Sequence, residues 1–499
     1  MILPFRGILL ASLLVAAVPA SSAFSATIVH SNDVLGDIEP CGCRSNPLGG
    51  MARKYNWLKR LSDPDLIQLD AGDLLFSTTP VPEPLAKQAR LQAQFLLQAH
   101  DLLKHDAAVP GEKDFALGFK TFEELRKQTH VKFLAANLTL RSGKAYLPSH
   151  LMIKGVAIIG LVGDQLTWPH ELKVTSPIAA ARRLVGQLRS KSDFVVALTH
   201  EGLEKDEELA KAVPGIDLII GGHSQSFLQH PEQIGKTWIV QSSFRNQYVG
   251  ALPLPGAKQP LDIEKYQLVG LDAGYDSPEG SPSPVDQLVK EFKLAVADLN
   301  TQDEKRLQAS ITGAGNGNAG YQTFPKCAEC HLKQFEFWRT TAHAGAFEPL
   351  VKSGQTANRE CLGCHTVGLD KANGFNIVAH LAEVKQGDST RWLAPDELNE
   401  FLKKLHGAKT LDAPLSHSLS TFEKSWTPVQ CENCHGPGGE HPFSGTYSKK
   451  VDRNLCLGCH TAERAPGWYV KSGAPNWELI EENKKKIACP AGELAPEGS

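Results

Sequence analysis

Past its N-terminal segment the chain has no apolar run long enough to cross a bilayer, which excludes a protein built of spanning helices. It has no excess of charge of one sign. Its 52 Lys and Arg stand against 55 Asp and Glu, a net charge of -3, so there is no electrostatic case for a nucleic-acid partner. Cysteine is scarce outside one stretch. Of 11 Cys in 499 residues, only Cys41, Cys43 and Cys489 lie apart from a cluster in the last third. The length suits two or three domains, and 41% hydrophobic with 21% charged residues is ordinary for globular protein.

The clustered cysteines form four copies of Cys-x-x-Cys-His. They are Cys327, Cys330 and His331; Cys361, Cys364 and His365; Cys431, Cys434 and His435; and Cys456, Cys459 and His460. This spacing is the signature of covalent c-type haem attachment, in which two thiols add to the haem vinyl groups and the adjacent His reaches the iron. Zinc knuckles and disulfides also use paired cysteines, but neither needs a His directly after each second Cys. The expected cofactors are four covalently bound c-type haems.

The first residues read as a secretory signal. Arg6 supplies the positive charge, residues 8–18 an apolar core too short to span a bilayer comfortably, and residues 20–23 a small-residue cleavage site, with a second option after Ala26. An uncleaved membrane anchor is the alternative. No Cys lies near the cleavage region to carry a lipid. Export agrees with c-type haem, which is attached on the outer side of the bacterial inner membrane. The mature protein is therefore expected in a periplasm, not integral to the membrane, with an extracellular location left open.

Residues 27–30, 66–69, 156–162, 194–198 and 218–220 are short apolar runs expected as buried strands, while 83–103 and 178–189 are expected helices. The alternation predicts an α/β layered domain over 24–272, after a signal peptide at 1–23. Residues 273–284, rich in Gly, Ser, Asp and Pro, and 313–320, with four Gly and two Asn, read as linkers. Between them 285–307 reads as an amphipathic helix with Leu288, Phe292, Val296 and Leu299 as its apolar residues, giving a connecting segment over 273–320. A mostly helical, haem-packed domain is expected over 321–490, then a tail over 491–499.

Five His lie outside the motifs in the haem segment: His343, His380, His406, His417 and His441. They permit a second axial ligand on every iron without requiring it. The stretches CAECHLKQFEFWRTTAHAGAF, CLGCHTVGL, GFNIVAHL, CENCHGPGGEH and CLGCHTAE resemble the tetrahaem cytochrome c-554 family, whose members accept electrons in hydroxylamine oxidation and in other respiratory chains. The resemblance implies electron transfer with redox partner proteins. It also implies distal ligands at His343, His380 and His441, three bis-His haems, and one iron without a distal protein ligand. Residues 383–427 are an insertion relative to that pattern, and His417 within it is a candidate for the open iron or an exposed side chain. Gly345 stands where relatives often carry a second His.

In the N-terminal part, Asp33, Asp73, His200 and His223 fall at or just past the ends of expected strands, an O and N donor set suited to a divalent metal. Their contexts are Ser31-Asn-Asp33, Asp70-Ala-Gly-Asp73, Leu198-Thr-His-Glu-Gly202 and Gly221-Gly-His223-Ser-Gln225. With Gly49-Gly-Met-Ala-Arg53 and Asn246-Gln-Tyr-Val-Gly250, these resemble the calcineurin-like metallophosphoesterases of the 5'-nucleotidase branch over residues 26–271. The resemblance implies two metals held by Asp-x-His, a bridging Asp, Asn-His, a further His and Gly-His-x-His. The chain departs from this set. Leu35 replaces the first His, Glu112-Lys113 replaces Asn-His, and Gln225 replaces the last His. One metal position has thus lost both its His ligands, and the other can be built from Asp73, Glu112, His200 and His223. Lys113 stands where the resemblance places the His that assists the leaving group, and its charge is also able to replace that of a metal.

Cys41 and Cys43, in Glu39-Pro-Cys41-Gly-Cys43, follow the first strand in the loop expected to overlook this site. Such a pair forms a strained disulfide, binds a soft metal or acts as a redox pair, and a plain structural role is the alternative. The leading reading is a periplasmic tetrahaem electron-transfer protein whose eroded phosphoesterase-like domain is a docking or thiol-redox module. The rival is an enzyme using Cys41, Cys43 and Lys113 beside a residual metal, on a sulfur or phosphoryl substrate coupled to the haems. An active phosphohydrolase is the third.

Overall fold

The computed structural model describes residues 26–40, 47–61, 65–311, 320–328, 330–371, 373–380, 425–439, 448–462, 464–470 and 473–490. The signal segment, the tail, Cys41, Cys43, His406, His417 and His441 lie outside the described residues.

The N-terminal part begins β1 (Thr27–Ser31), α1 (Met51–Arg60), β2 (Leu66–Asp70), α2 (Ala86–Leu102), β3 (Ala107–Ala108), α3 (Phe119–Leu125) and β4 (Lys132–Phe133). It continues with β5 (Leu138–Leu140), β6 (His150–Ile153), β7 (Val156–Val162), β8 (Leu172–Val174), α4 (Pro177–Leu188), β9 (Phe194–His200) and α5 (Leu203–Ala212). It closes with β10 (Leu218–Gly221), β11 (Glu232–Ile234), β12 (Thr237–Val240), β13 (Tyr248–Pro253) and β14 (Gln267–Gly270). One six-stranded sheet has the order β14-β13-β1-β2-β3-β4, a second has the order β11-β12-β10-β9-β7-β6, and β5 and β8 form a small antiparallel pair. The inner strands β1 to β4 run parallel, as do β7, β9, β10 and β12, and antiparallel strands close the remaining edges.

The apolar runs of β7 and β9 are covered on both faces, which is why they show no polar alternation. Alternate side chains serve different cores. Val156, Ile158 and Val162 join a core shared with β1 and β2, whereas Ala157, Ile159 and Leu161 pack with Leu184 and Val185 of α4 and Leu209 of α5. The result is an α/β sandwich with mixed sheets, as the strand and helix alternation predicts.

The connecting helix α6 (Pro284–Ile311) is part of this body. Its Val285, Leu288, Val289, Phe292 and Val296 are buried in the shared core, and the Phe292 ring lies 5.6 Å from that of Phe95 on α2. The haem segment follows as short helices: α7 (Thr323–Ala328), α8 (Leu332–Trp338), α9 (Glu348–Ser353), α10 (Arg359–His365), α11 (Cys431–His435), α12 (Arg453–Cys456) and α13 (Trp477–Lys486). Phe347, Leu350, Leu362, Val367, Phe375, Ile377 and Trp426 form a small core there. Among the described residues no helix is long and apolar enough to cross a membrane.

Candidate functional site

The parallel strands of the two sheets end on one rim, where α/β sheets place their ligands. Asp73 follows β2, Glu112 and Lys113 follow β3, His200 ends β9 and His223 follows β10. One donor atom from each of Asp73, Glu112, His200 and His223 lies within 4.8 Å of the others. These are the four residues from which one metal position was expected to survive.

His200 Nε2 stands 3.2 Å from Glu112 Oε2 and 3.5 Å from Asp73 Oδ1, and His223 Nδ1 stands 3.5 Å from Glu112 Oε2. A tetrahedral ion with bonds of about 2.0–2.1 Å holds its ligand atoms roughly 3.3–3.4 Å apart, so the donor set fits one such ion. His200 Nδ1 donates to the Ala71 carbonyl at 2.7 Å, which leaves Nε2 facing the carboxylates. Among the described residues the buried His223 Nδ1 has no hydrogen-bond partner. Backbone crowding shapes the same spot. A Cβ on Gly111 would meet Asp73 Oδ1 at 2.1 Å, and one on Gly222 would meet the Ala71 carbonyl at 2.1 Å.

Lys113 occupies the other side of the carboxylates. Its Nζ is paired with Asp73 Oδ2 and lies 3.3 Å from Glu112 Oε1, while its backbone N–H donates to Asp73 Oδ1 at 2.9 Å. Asp73 and Glu112 thus each turn one oxygen to the histidines and the other to the ammonium. Burial disfavours charge on His200, but Asp73 and Glu112 outweigh it and hold the ring well above its ordinary value. Burial likewise works against the Glu112 charge and is outweighed by His200, His223 and Lys113, which hold the carboxyl far below its usual range.

Asp33 lies beside this set rather than in it. Its Oδ2 accepts the His223 backbone N–H at 3.0 Å and Asn32 Nδ2 at 2.8 Å, and burial, partly offset by His200, pushes its carboxyl up to about 7. Leu35 is 1% exposed and presents an apolar side chain where a ligand would be needed for a second ion. Asp33, Leu35, Asp73, His223 and Gln225 all have φ between 50° and 71°. Five non-glycine residues in the left-handed region, at roughly 1–3 kcal/mol each, mark a rim whose shape is tightly constrained. Sequence reasoning did not single out the Ala71 carbonyl, Gly111 or Gly222. The Gly-Gly before His223 was the available signal.

In the haem segment, each motif His whose ring bonding is described is oriented for ligation. His365 Nδ1 pairs with the Ala346 carbonyl, and His435 Nδ1 donates to the Ser448 carbonyl at 2.7 Å, so Nε2 is left to face an iron. His343 and His460 have ring centroids 6.2 Å apart. Two imidazoles bonded to one metal at about 2 Å would have centroids roughly 6 Å apart, so His343 and His460 are spaced as two residues that would hold one haem iron between them. His380 is arranged differently. Its Nδ1 accepts the Asn376 backbone N–H at 2.9 Å and its ring lies 4.6 Å from Trp426. Ligation through Nε2 puts a proton on Nδ1 and requires that bond to open.

Residues 26–227 match the family described as Calcineurin-like phosphoesterase, and residues 326–387 match Cytochrome c554 and c-prime. The first match spans most of the α/β sandwich with its rim, and the second spans the first two Cys-x-x-Cys-His motifs. The chain thus joins a part similar to calcineurin-like phosphoesterases and 5'-nucleotidases to a part similar to cytochrome c554. It is 30% identical to the 5'-nucleotidase of Homo sapiens over 234 residues, covering 42% of this chain and 40% of that protein. It is 25% identical to the snake venom 5'-nucleotidase of Crotalus adamanteus over 232 residues, covering 42% and 38%. The chain thus spans about 40% of the length of these curated relatives. Among solved structures, sulfate thiohydrolase SoxB of Thermus thermophilus superposes with a TM-score of 0.47 at 19% identity, covering 55% of this chain and 61% of that one. The 5'-nucleotidase precursor of Thermus thermophilus gives 0.46 at 21% identity, covering 66% and 68%.

Proposed function

We propose that this chain is a periplasmic electron-transfer protein with four c-type haems, exchanging electrons with separate redox partners. Its phosphoesterase-like domain holds one divalent ion and serves as a docking or thiol-redox module. The observation that carries this reading is how the four motifs meet. Glu432, inside the third motif, accepts the backbone N–H of Thr323 at 2.7 Å, at the start of the helix that carries Cys327 of the first motif. Asn433, also inside the third motif, donates from Nδ2 to the Thr366 carbonyl, directly after the second motif, at 2.9 Å. The first three motifs thus meet around the third, and the His460 ring of the fourth lies with its centroid 6.2 Å from that of His343.

When bound, haems on motifs that touch one another would supply one-electron couples. The chain's own part is to hold and tune them. Its methionines are Met1, Met51 and Met152, so Met ligation within the haem segment is excluded. The His343 and His460 spacing supports bis-His ligation of the fourth-motif haem, which leaves no open position for a substrate on that iron.

The rim of the N-terminal domain supports a structural rather than hydrolytic ion. Four protein donors complete a tetrahedral ion, whereas catalytic sites keep a position open for water. Two-metal hydrolysis needs a second ion, and Leu35 and Gln225 remove its His ligands. The test is a haem count by pyridine haemochrome on the purified holoprotein, with phosphate release from a nucleoside monophosphate measured in added manganese or zinc. Four haems per chain and no phosphate release are expected. Sustained phosphate release would return the domain to the phosphohydrolases.

A further inference from the structure

Between the two domains lies a buried polar network. Gln88 on α2, 1% exposed, donates from Nε2 to Asn358 Oδ1 at 2.6 Å, and its Oε1 accepts Asn300 Nδ2 at 2.7 Å and the Arg359 backbone N–H at 3.1 Å. Asn358 caps α10, the helix that carries the second haem motif, by accepting the Glu360 N–H at 3.0 Å. Further along α6, Glu304 bonds the Arg359 guanidinium through one oxygen and Asn376 through the other. Arg359 also pairs with Asp370, and its side chain is only 3% exposed. Nearby, Glu39 bonds Lys293 of α6 at 2.6 Å and Gln355, which in turn accepts Asn358 Nδ2 at 3.0 Å.

Every strand of this network converges on the two residues that precede Cys361 by three and two positions. Arg359 also borders a cavity of about 460 Å³ whose wall includes Gly363, inside the second motif, and Asn433, inside the third. A guanidinium so deeply buried is poorly screened by salt. Buried charge and hydrogen bonding are among the terms that set a haem potential.

We propose that Arg359, held by Glu304 of the connecting helix, is the positioning residue through which the N-terminal domain sets the midpoint potential of the haem at Cys361, Cys364 and His365. The inference rests on the tetrahaem reading above. Ferric haem carries one more positive charge than ferrous haem. The guanidinium therefore favours the reduced form and raises the potential, and the Glu304 carboxylate opposes it. Arg359 stands two residues before Cys361 and before no other motif, so this tuning biases the second-motif haem against the other three.

The test is a spectroelectrochemical titration of the full-length holoprotein, with haems counted in the same sample. Glu304→Gln is expected to move one of the four midpoints upward and Arg359→Gln to move one downward, with Arg359→Lys restoring most of the original value. Packing damage alone gives no such opposite pair. Asp370→Asn, at the more exposed partner, provides an upward shift that does not depend on the Arg359 variants folding. Four haems with unmoved midpoints, or shifts in one direction for Glu304→Gln and Arg359→Gln alike, would overturn the inference and leave the tetrahaem reading standing. Fewer than four haems in the unmodified protein would remove the reading beneath it as well.

Discussion

His200 Nε2 and Glu112 Oε2 stand 3.2 Å apart, about one edge of the tetrahedron that a single zinc-sized ion would complete with Asp73 and His223. Glu112 replaces the Asn that the phosphoesterase resemblance implies at this position. It adds a negative charge to the set, and Lys113 takes up the oxygens turned away from the histidines.

Metal content follows directly. The purified protein is expected to bind about one equivalent of zinc by elemental analysis. His200→Ala should weaken binding by two orders of magnitude or more, since it removes a ligand rather than one of its supports. Two equivalents bound at the rim would contradict the single-ion account.

The axial pairing makes a spectroscopic prediction. His343→Ala should convert one of the four haems from low spin to high spin by electron paramagnetic resonance, because its ring faces His460 at 6.2 Å. An unchanged spin count would place the fourth-motif ligand elsewhere.

Stability should depend on the interdomain network. Gln88→Ala leaves Asn300, Asn358 and the Arg359 N–H short of buried partners, at a cost of about 2–3 kcal/mol. A lower melting temperature and faster proteolysis between the domains are expected. A neutral result would mean that water replaces the side chain without loss.

Acid sensitivity has an identifiable source in three buried imidazoles. Burial, with Lys54 nearby, pushes His30 down to about 3, and burial holds His100 and His105 well below the ordinary value. A depressed histidine stabilises the fold above its unfolded value of about 6.5 and loses that contribution as the pH falls below it, at about 1.4 kcal/mol per pH unit per group. The double variant His100→Leu/His105→Leu should therefore lose less stability than the parent between pH 7 and 5 in urea titrations. Parallel curves would place the acid-sensitive groups elsewhere.

The strands were legible because β7, β9 and β10 are largely apolar runs, and the rim was legible because Asp73 lies just past β2, His200 ends β9 and His223 lies just past β10. The partial occlusion of that rim was visible in Leu35 and Gln225. The interdomain contact was not. On α6 the periodicity points to Leu299, yet Asn300 and Glu304 are the more deeply buried residues, because they answer Gln88 and Arg359 across the interface. A hydrophobic pattern registers apolar burial only, and polar residues buried against long-range partners leave no trace in it. Likewise the contacts of Glu432 with Thr323 and of Asn433 with Thr366 depend on tertiary packing, so four identical spacings could not reveal which motifs meet.

The most direct test of the central claim is a reductive titration counted in electrons per chain, followed through the haem absorption bands. Four electrons per chain taken up by the haems is the predicted result, with any electrons taken up by a thiol pair leaving the haem bands unchanged. Fewer than four haem-linked electrons per chain would contradict it.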